Sequence, residues 1–353
     1  MAAASFTTGN PLLDFLYILF NGISEVPLIS SPLAGLLILA GVTVASRKAG
    51  FMMFISGLIG AAVAYILGAS YGLITFGLFG YNSILTGMAF WSGPFTKRTK
   101  AALAMSIIGA AITAVVWMAL SHVMGDWFAG LGPGYAIPGF TASFIFTTWA
   151  MMYATKLYGL DIWPAPPPSG SNQTEQPFKW TAKEFMRATL NGVSQVTFVE
   201  DWRTGLFWVA GLTLSFQLAP GALFTNAYTA GWDATSLLYL GGLMALVGSG
   251  VGAAVAIAAK LPAAEVRSGL HGFNQVLVMI ALTSFLPLTP ITFLYALFAT
   301  VACTLFTMPA LQNYFGKWGL PALTGPFVFT TWIFMLAVVG FAHVPAGIGW
   351  ARP

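Results

Sequence analysis

Long apolar segments alternate along the chain with short stretches rich in glycine, proline or charge. In the first part of the chain the apolar segments are residues 12–29, 33–46, 51–69, 71–92, 101–123 and 135–155. In the second part they are residues 188–199, 204–219, 236–259, 269–286, 290–308 and 319–342. A helix needs about 20 apolar residues to cross a bilayer. The pattern therefore predicts an all-α integral membrane protein.

Two of these segments are interrupted by glycine or proline. Segment 71–92 has glycine at positions 72, 77, 80 and 87, and segment 269–286 begins with two glycines and ends before Pro287. Broken or half-spanning helices are tolerated in a membrane only where they are buried in protein or line a cavity. We therefore expect about ten transmembrane helices and two re-entrant or half-spanning helices around a permeation path.

The composition excludes several other classes of protein. The chain of 353 residues has 14 Lys and Arg and 10 Asp and Glu, so 7% of it is charged, and 58% is hydrophobic. An average soluble protein is about 25% charged. A soluble enzyme, a disordered chain and a nucleic-acid binder are therefore excluded, the last because the basic residues are scattered. The single cysteine, Cys303, excludes a disulfide framework, and the first basic residue, Arg47, comes too late for a cleavable signal peptide.

A polar linker divides the chain into two parts. Residues 161–184 contain five prolines, a Ser- and Gln-containing stretch and five charged side chains, a composition typical of linkers. We expect a first half at 1–160 and a second half at 185–353. The positive-inside rule places the basic loops at 47–48 and 97–100 together in the cytoplasm only if 51–96 crosses an even number of times. The topology around 71–100 stays open.

The sequence of the first half returns in the second. Residues 21–26 (Asn-Gly-Ile-Ser-Glu-Val) return as 191–196 (Asn-Gly-Val-Ser-Gln-Val), residues 78–85 return as 270–277, and residues 138–144 with 146–149 return as 321–327 with 329–332. Three blocks in the same order indicate a duplication. If each half has five crossings and one partial helix, the halves are inverted. A duplicated membrane fold usually has its site at the interface of the repeats.

Polar residues that recur in both halves are the candidates for that site, because polar groups inside a membrane are expensive and usually functional. The pairs are Glu25 with Gln195, Asn82 with Asn274, and Thr141 with Thr324. Leu85 and Leu277 follow the asparagines by three residues and would narrow a path. In the alternative interpretation these polar groups only satisfy backbone groups freed at helix breaks.

The sequence shows no catalytic set, no phosphate-binding loop and no metal-ligand spacing, so we expect no enzyme activity, no cofactor and no metal. The histidines, His122, His271 and His343, are expected to pack or to lie at the interface. His271 lies in a repeated block, but its counterpart is Phe79, which favours packing.

The repeated blocks resemble the urea transporter family, particularly its bacterial members. The pattern Leu-Pro-x-x-Thr-x-Pro-Phe stands intact at 320–327 and in degenerate form at 137–144. The motifs at 35–39, 192–196 and 77–82 also resemble that family, and the likeness covers most of both halves.

This resemblance implies channel-like, passive conduction of urea by a homotrimer in a cell membrane, plasma or inner, with a slot-shaped filter in each protomer. It implies a central pinch at Thr141 and Thr324, slot leucines at Leu85 and Leu277, and a mouth formed by Gln195 and Phe198. Urea offers four N–H donors and one carbonyl, so a dehydrated path must supply acceptors at each step.

The first half departs from the family pattern at one mouth. Glu25 replaces the glutamine, and Leu28, after Pro27, replaces the slot phenylalanine. Glu25 could accept N–H groups as glutamine does, or it could shift the preference to another planar solute such as guanidinium, formamide or another amide. A charge at a helix centre costs about 2.5–3.5 kcal/mol, so an ionised Glu25 belongs near a water-filled mouth. A third possibility, coupling to H⁺ or Na⁺, has only Glu25 as an acid within the repeated blocks.

Overall fold

A computed structural model describes residues 9–129, 137–164, 178–214 and 241–345. All regular secondary structure in these ranges is helical, which confirms the predicted fold class. The first half has α1 Pro11–Ser24, α2 Pro32–Ala45, α3 Arg47–Ile66, α4 Tyr71–Thr75, α5 Gly80–Trp91, α6 Lys100–Ala129 and α7 Ala142–Leu157. The second half has α8 Ala182–Gln195, α9 Trp202–Leu214, α10 Gly241–Ala258, α11 Ala263–Ser268, α12 Phe273–Phe285, α13 Pro290–Ala302, α14 Met308–Gly316 and α15 Gly325–Ala337.

Polar side chains cap the N-terminal ends of several of these helices. The Asn10 side chain accepts from the backbone N–H of Leu12 at 3.0 Å, and Pro11 occupies the first helical position. The hydroxyls of Ser31 and Thr181 cap α2 and α8 in the same way. Such caps satisfy N–H groups that the first helical turn leaves free.

Four helical segments in the described ranges are long and apolar enough to cross a membrane. They are Arg47–Ile66, Lys100–Met124, Gly241–Ala258 and Pro290–Gly316, two in each half. The last combines α13 and α14 through a π-helical turn at Cys303–Thr307. Pro309 accounts for that turn, because proline has no N–H and its ring clashes with the carbonyl four residues earlier.

The breaks predicted at 71–92 and 269–286 are present, and several predicted boundaries are wrong. Segment 71–92 divides into α4 and α5, and the helix of 269–286 begins only at Phe273. In the described residues 137–155 and 319–342, helix begins only at Ala142 and Gly325. The side chains of Asn82 and Asn274 bind the backbone of the apolar residues before these helices. The helix predicted at 188–199 begins at Ala182, inside the proposed linker, where Thr181 caps it. Residues 135–136, 165–177, 215–219 and 236–240 of the predicted segments and linker lie outside the described residues.

The backbone contacts repeat from half to half. The Asn21 side chain donates to the carbonyl of Thr75 at 2.8 Å, and Asn191 donates to that of Arg267 at the same distance. Gly77 and Gly269 both have left-handed φ, 96° and 88°. Each lies against the backbone of the asparagine in its own half, so the broken helices are held in the same way twice.

The counterpart helices α2 and α9 pack on each other in opposite directions. Gly41 near the end of α2 lies against Phe207 in the first half of α9, and Ala34 at the start of α2 lies against Gly211 near the end of α9. The Thr204 hydroxyl donates to the Gly41 carbonyl at 2.8 Å. Equivalent helices that pack antiparallel are related by a twofold axis perpendicular to them. The two halves are therefore inverted with respect to each other.

Candidate functional site

Two threonine hydroxyls meet where the halves join. The Oγ1 atoms of Thr141 and Thr324 lie 2.6 Å apart, and both residues are fully buried. Trp149 donates to the Pro321 carbonyl at 2.9 Å, and Trp332 donates to the Pro138 carbonyl at 3.1 Å. These reciprocal bonds place the threonine pair on the twofold axis. The structure thus brings the two predicted pinch residues together across 183 positions of sequence.

Left-handed residues flank the site symmetrically. Phe140 and Leu323, immediately before the threonines, have φ of 48° and 53°. Leu28 and Phe198, the predicted slot residues, have φ of 66° and 59°. Large side chains rarely adopt this conformation, which costs about 1–3 kcal/mol per residue and clusters at functional sites. The fold therefore keeps four strained residues at and around the predicted path.

Asn82 and Asn274 hold the chain immediately before and after the threonines. Asn82 donates to the Phe140 carbonyl at 3.1 Å and accepts from the Phe144 N–H at 3.2 Å. Asn274 donates to the Leu323 carbonyl at 3.3 Å and accepts from the Phe327 N–H at 3.0 Å. Both amides are buried, and each makes one bond to the backbone before and one to the backbone after its threonine.

The mouth predicted around Gln195 is aromatic. Phe198 packs edge-on against Phe95 at 5.5 Å between ring centroids and in a tilted arrangement against Phe144 at 6.0 Å. Gln195 is half-buried, and its side-chain amide donates to the Ser268 carbonyl at 3.0 Å. This donation fixes the amide and leaves its oxygen as the acceptor.

The opposite predicted mouth, around Glu25 and Leu28, is arranged differently. Glu25 is 7% exposed and Leu28 is 8% exposed. The carbonyl that corresponds to Ser268 in the first half belongs to Phe76, and it accepts from the Ser30 hydroxyl at 3.2 Å. Ser30 thus does in the first half what the amide of Gln195 does in the second.

Leu85 and Leu277 are fully buried on α5 and α12, one turn after the asparagines. They share one hydrophobic core with Leu28 and with residues of both halves.

His271 is also buried, and its Nε2 lies 3.1 Å from Glu265. Within the described residues no group of three His, Cys, Asp or Glu side chains could hold a metal ion.

Several residues of the site were not singled out from the sequence. Trp149 and Trp332 stood in the repeated Phe-Thr-Thr-Trp block, so their symmetry could have identified them. Tyr81 donates to the Phe140 carbonyl at 2.7 Å and accepts from Trp117 at 3.1 Å. Its counterpart is a phenylalanine, so the repeat gave no signal for this bond.

The fold and the site together define a duplicated all-α membrane protein with a polar pair buried at the junction of its inverted halves. The sequence matches the urea transporter family over residues 2–156, 127–232 and 221–349. The chain belongs to the urea transporter family, which confirms the resemblance and places it in a transport family. It is 27% identical to urea transporter 1 of Capra hircus over 335 residues, 92% of this chain and 77% of the relative. It is 28% identical to urea transporter 1 of Rattus norvegicus over 338 residues, with the same shares.

Proposed function

We propose that urea crosses by facilitated diffusion through a narrow slot in each protomer, past the Thr141–Thr324 pair. Membership of the family supports transport as the activity and urea as the substrate. The hydroxyl pair on the twofold axis is the observation that carries the proposed route. Residues from the two halves meet there within one chain, so one protomer suffices to build the path.

The chemistry of the threonine pair suits urea. Each hydroxyl has one donor and two acceptor sites, and one of the two protons is used in the bond between them. The pair therefore offers several lone pairs to the N–H groups of urea and retains one proton for its carbonyl. Because each site binds weakly, urea can leave as well as enter.

Apolar faces support selection by shape. Phe140 packs edge-on against Phe285 and Phe327, at 5.6 and 5.2 Å between ring centroids. Phe198 and Leu28 lie at the two mouths, and Leu85 and Leu277 lie on the helices between them. Walls of this kind admit a flat, dehydrated solute and exclude a hydrated ion.

The membrane and the assembly belong to the same proposal. Exposed apolar side chains such as Ile66, Leu294 and Phe306 are the surface that lipid would cover. We propose a homotrimer in the plasma or inner membrane, as the family resemblance implies.

Urea flux into proteoliposomes, followed by stopped-flow light scattering, tests the route. Thr141→Val and Thr324→Val remove one hydroxyl each at nearly constant volume, and we expect each to lower urea flux about tenfold, the equivalent of about 1.4 kcal/mol. Thr141→Ser and Thr324→Ser retain the hydroxyl and should remain closer to the wild type.

Thr113→Val is the matched control, because Thr113 is also buried and bonded to a second threonine, Thr86, at 2.8 Å. It should leave urea flux unchanged. The route would be contradicted if Thr141→Val and Thr324→Val fold and retain the urea flux of the wild type. Flux that collapses with a protonophore would instead favour ion coupling.

A further inference from the structure

The two mouths differ in one decisive group. Glu25 and Gln195 are equivalent in the repeat: Glu25 directly follows the last residue of α1, and Gln195 is the last residue of α8. Gln195 has a fixed bond to the Ser268 carbonyl. The side chain of Glu25 has no hydrogen-bond or ion-pair partner among the described residues, although the residue is only 7% exposed.

The missing bond at Glu25 follows from its chemistry. An ionised carboxylate only accepts hydrogen bonds, so it cannot make the donation to a carbonyl that an amide makes. Ser30 supplies that donation to the Phe76 carbonyl instead. The Phe76 carbonyl therefore has its donor without Glu25. Both carboxylate oxygens of Glu25 remain free to accept hydrogen bonds from a solute.

A buried carboxylate without a partner is expensive. Of the buried acidic side chains in the described part of the chain, Asp14 accepts from the Tyr71 hydroxyl at 3.2 Å, whereas Glu25 has no such donor. The group that would satisfy Glu25 is a flat cation with two parallel N–H donors. Guanidinium has the planar Y shape of urea and pairs with a carboxylate through two parallel hydrogen bonds.

We propose that Glu25 makes the first mouth a binding site for planar cations of the guanidinium class, which compete there with urea. This inference rests on the proposed function, because it assumes that Glu25 lies on the solute path. The hydroxyl pair and the apolar walls beyond the mouth suit either solute. The charge at position 25 determines which one binds more tightly at the entrance.

Inhibition of urea flux by guanidinium chloride tests the inference, with tetramethylammonium chloride as a non-planar cation of the same charge. For the wild type we expect guanidinium to inhibit at a concentration at least tenfold below that of tetramethylammonium. In Glu25→Gln the guanidinium concentration that halves urea flux should rise at least tenfold. The flux of each variant is expressed relative to its own flux without inhibitor. Gln195→Glu should lower this inhibitory concentration of guanidinium.

Asp14→Asn is the matched control, because it removes a buried carboxylate from the same helix and should leave both urea flux and inhibition unchanged. Glu25→Asp, which retains the charge, replaces Glu25→Gln if that variant does not fold, and should still be inhibited preferentially by guanidinium. Equal inhibition of the wild type and Glu25→Gln, with urea flux intact, would overturn this inference alone. Absence of urea flux in the wild type, with guanidinium conducted, would overturn urea as the substrate and support the site.

Discussion

At the scale of single residues, the site depends on backbone conformations that the side chains do not favour. Leu28, Phe140, Phe198 and Leu323 are left-handed without being glycine. Such strain persists only where surrounding contacts determine it, and at Phe140 and Leu323 the asparagine amides and the paired tryptophans supply those contacts. Gly77 and Gly269 take the same region of φ where no side chain could fit.

Gly269→Ala should therefore destabilise the protein strongly. Its φ of 88° costs a side chain about 1–2 kcal/mol. An added Cβ would lie 2.3 Å from the Gly192 nitrogen, and overpacking adds about 1–3 kcal/mol. We expect a clearly lower thermal unfolding temperature in detergent. Gly316→Ala is the control, because nothing lies within 4 Å of its added Cβ, and an equal loss in both variants would contradict the argument.

At the scale of elements, the broken helices are held by single side chains from distant positions. Asn82 and Asn274 make equivalent bonds, but the carbonyl that accepts from the asparagine has a second donor only in the first half. In the first half Tyr81 also donates to the Phe140 carbonyl. In the second half residue 273 is a phenylalanine, so no hydroxyl stands beside Asn274 to share the donation to Leu323.

Asn274→Ala should consequently cost more stability than Asn82→Ala. An unsatisfied buried group costs about 1–3 kcal/mol. Asn82→Ala leaves the Phe144 N–H without its side-chain acceptor, whereas Asn274→Ala frees both the Phe327 N–H and the Leu323 carbonyl. Thermal unfolding of the two variants gives the comparison. Adding Tyr81→Phe to Asn82→Ala should remove the difference, and a larger loss in Asn82→Ala alone would refute the assignment.

The local sequence predicted the fold better than the boundaries of the helices. Hydropathy identified the apolar helices, and glycine identified the breaks, because both are local properties. Residues 137–141 and 320–324 are nearly as apolar as the helices that follow, so hydropathy extended the helices too early. Their backbone is held by Asn82, Asn274 and two tryptophans, whose positions local patterning does not encode.

The candidate site was predictable where it was duplicated. The threonine pair, the asparagines and the leucines all appeared twice in the sequence, and the structure places the threonines in contact. A residue that differs between the halves gave no such signal, as Tyr81 shows. Ser30 could be understood only after its bond to the Phe76 carbonyl was seen.

At the scale of the whole molecule, the internal twofold axis determines what one chain can do alone. The threonine pair, the reciprocal tryptophan bonds and the antiparallel α2–α9 contact all lie within one protomer. Assembly into a trimer would then stabilise the protein in the membrane, and it would not create a path shared by the three chains. The inversion also means that the two proposed mouths differ only through their side chains.

Co-expression of wild-type and inactive chains tests whether each protomer conducts alone. The double variant Thr141→Val, Thr324→Val provides the inactive chain, and affinity tags on both versions give their proportions in the purified protein. If each protomer has its own path, urea flux per molecule should rise linearly with the wild-type fraction. A path built at the centre of three chains would fail wherever one inactive chain is present, so flux would follow the cube of that fraction. The mass in detergent, three times 37.4 kDa for a homotrimer, has to be established on the same samples, because only an assembled trimer separates the two curves.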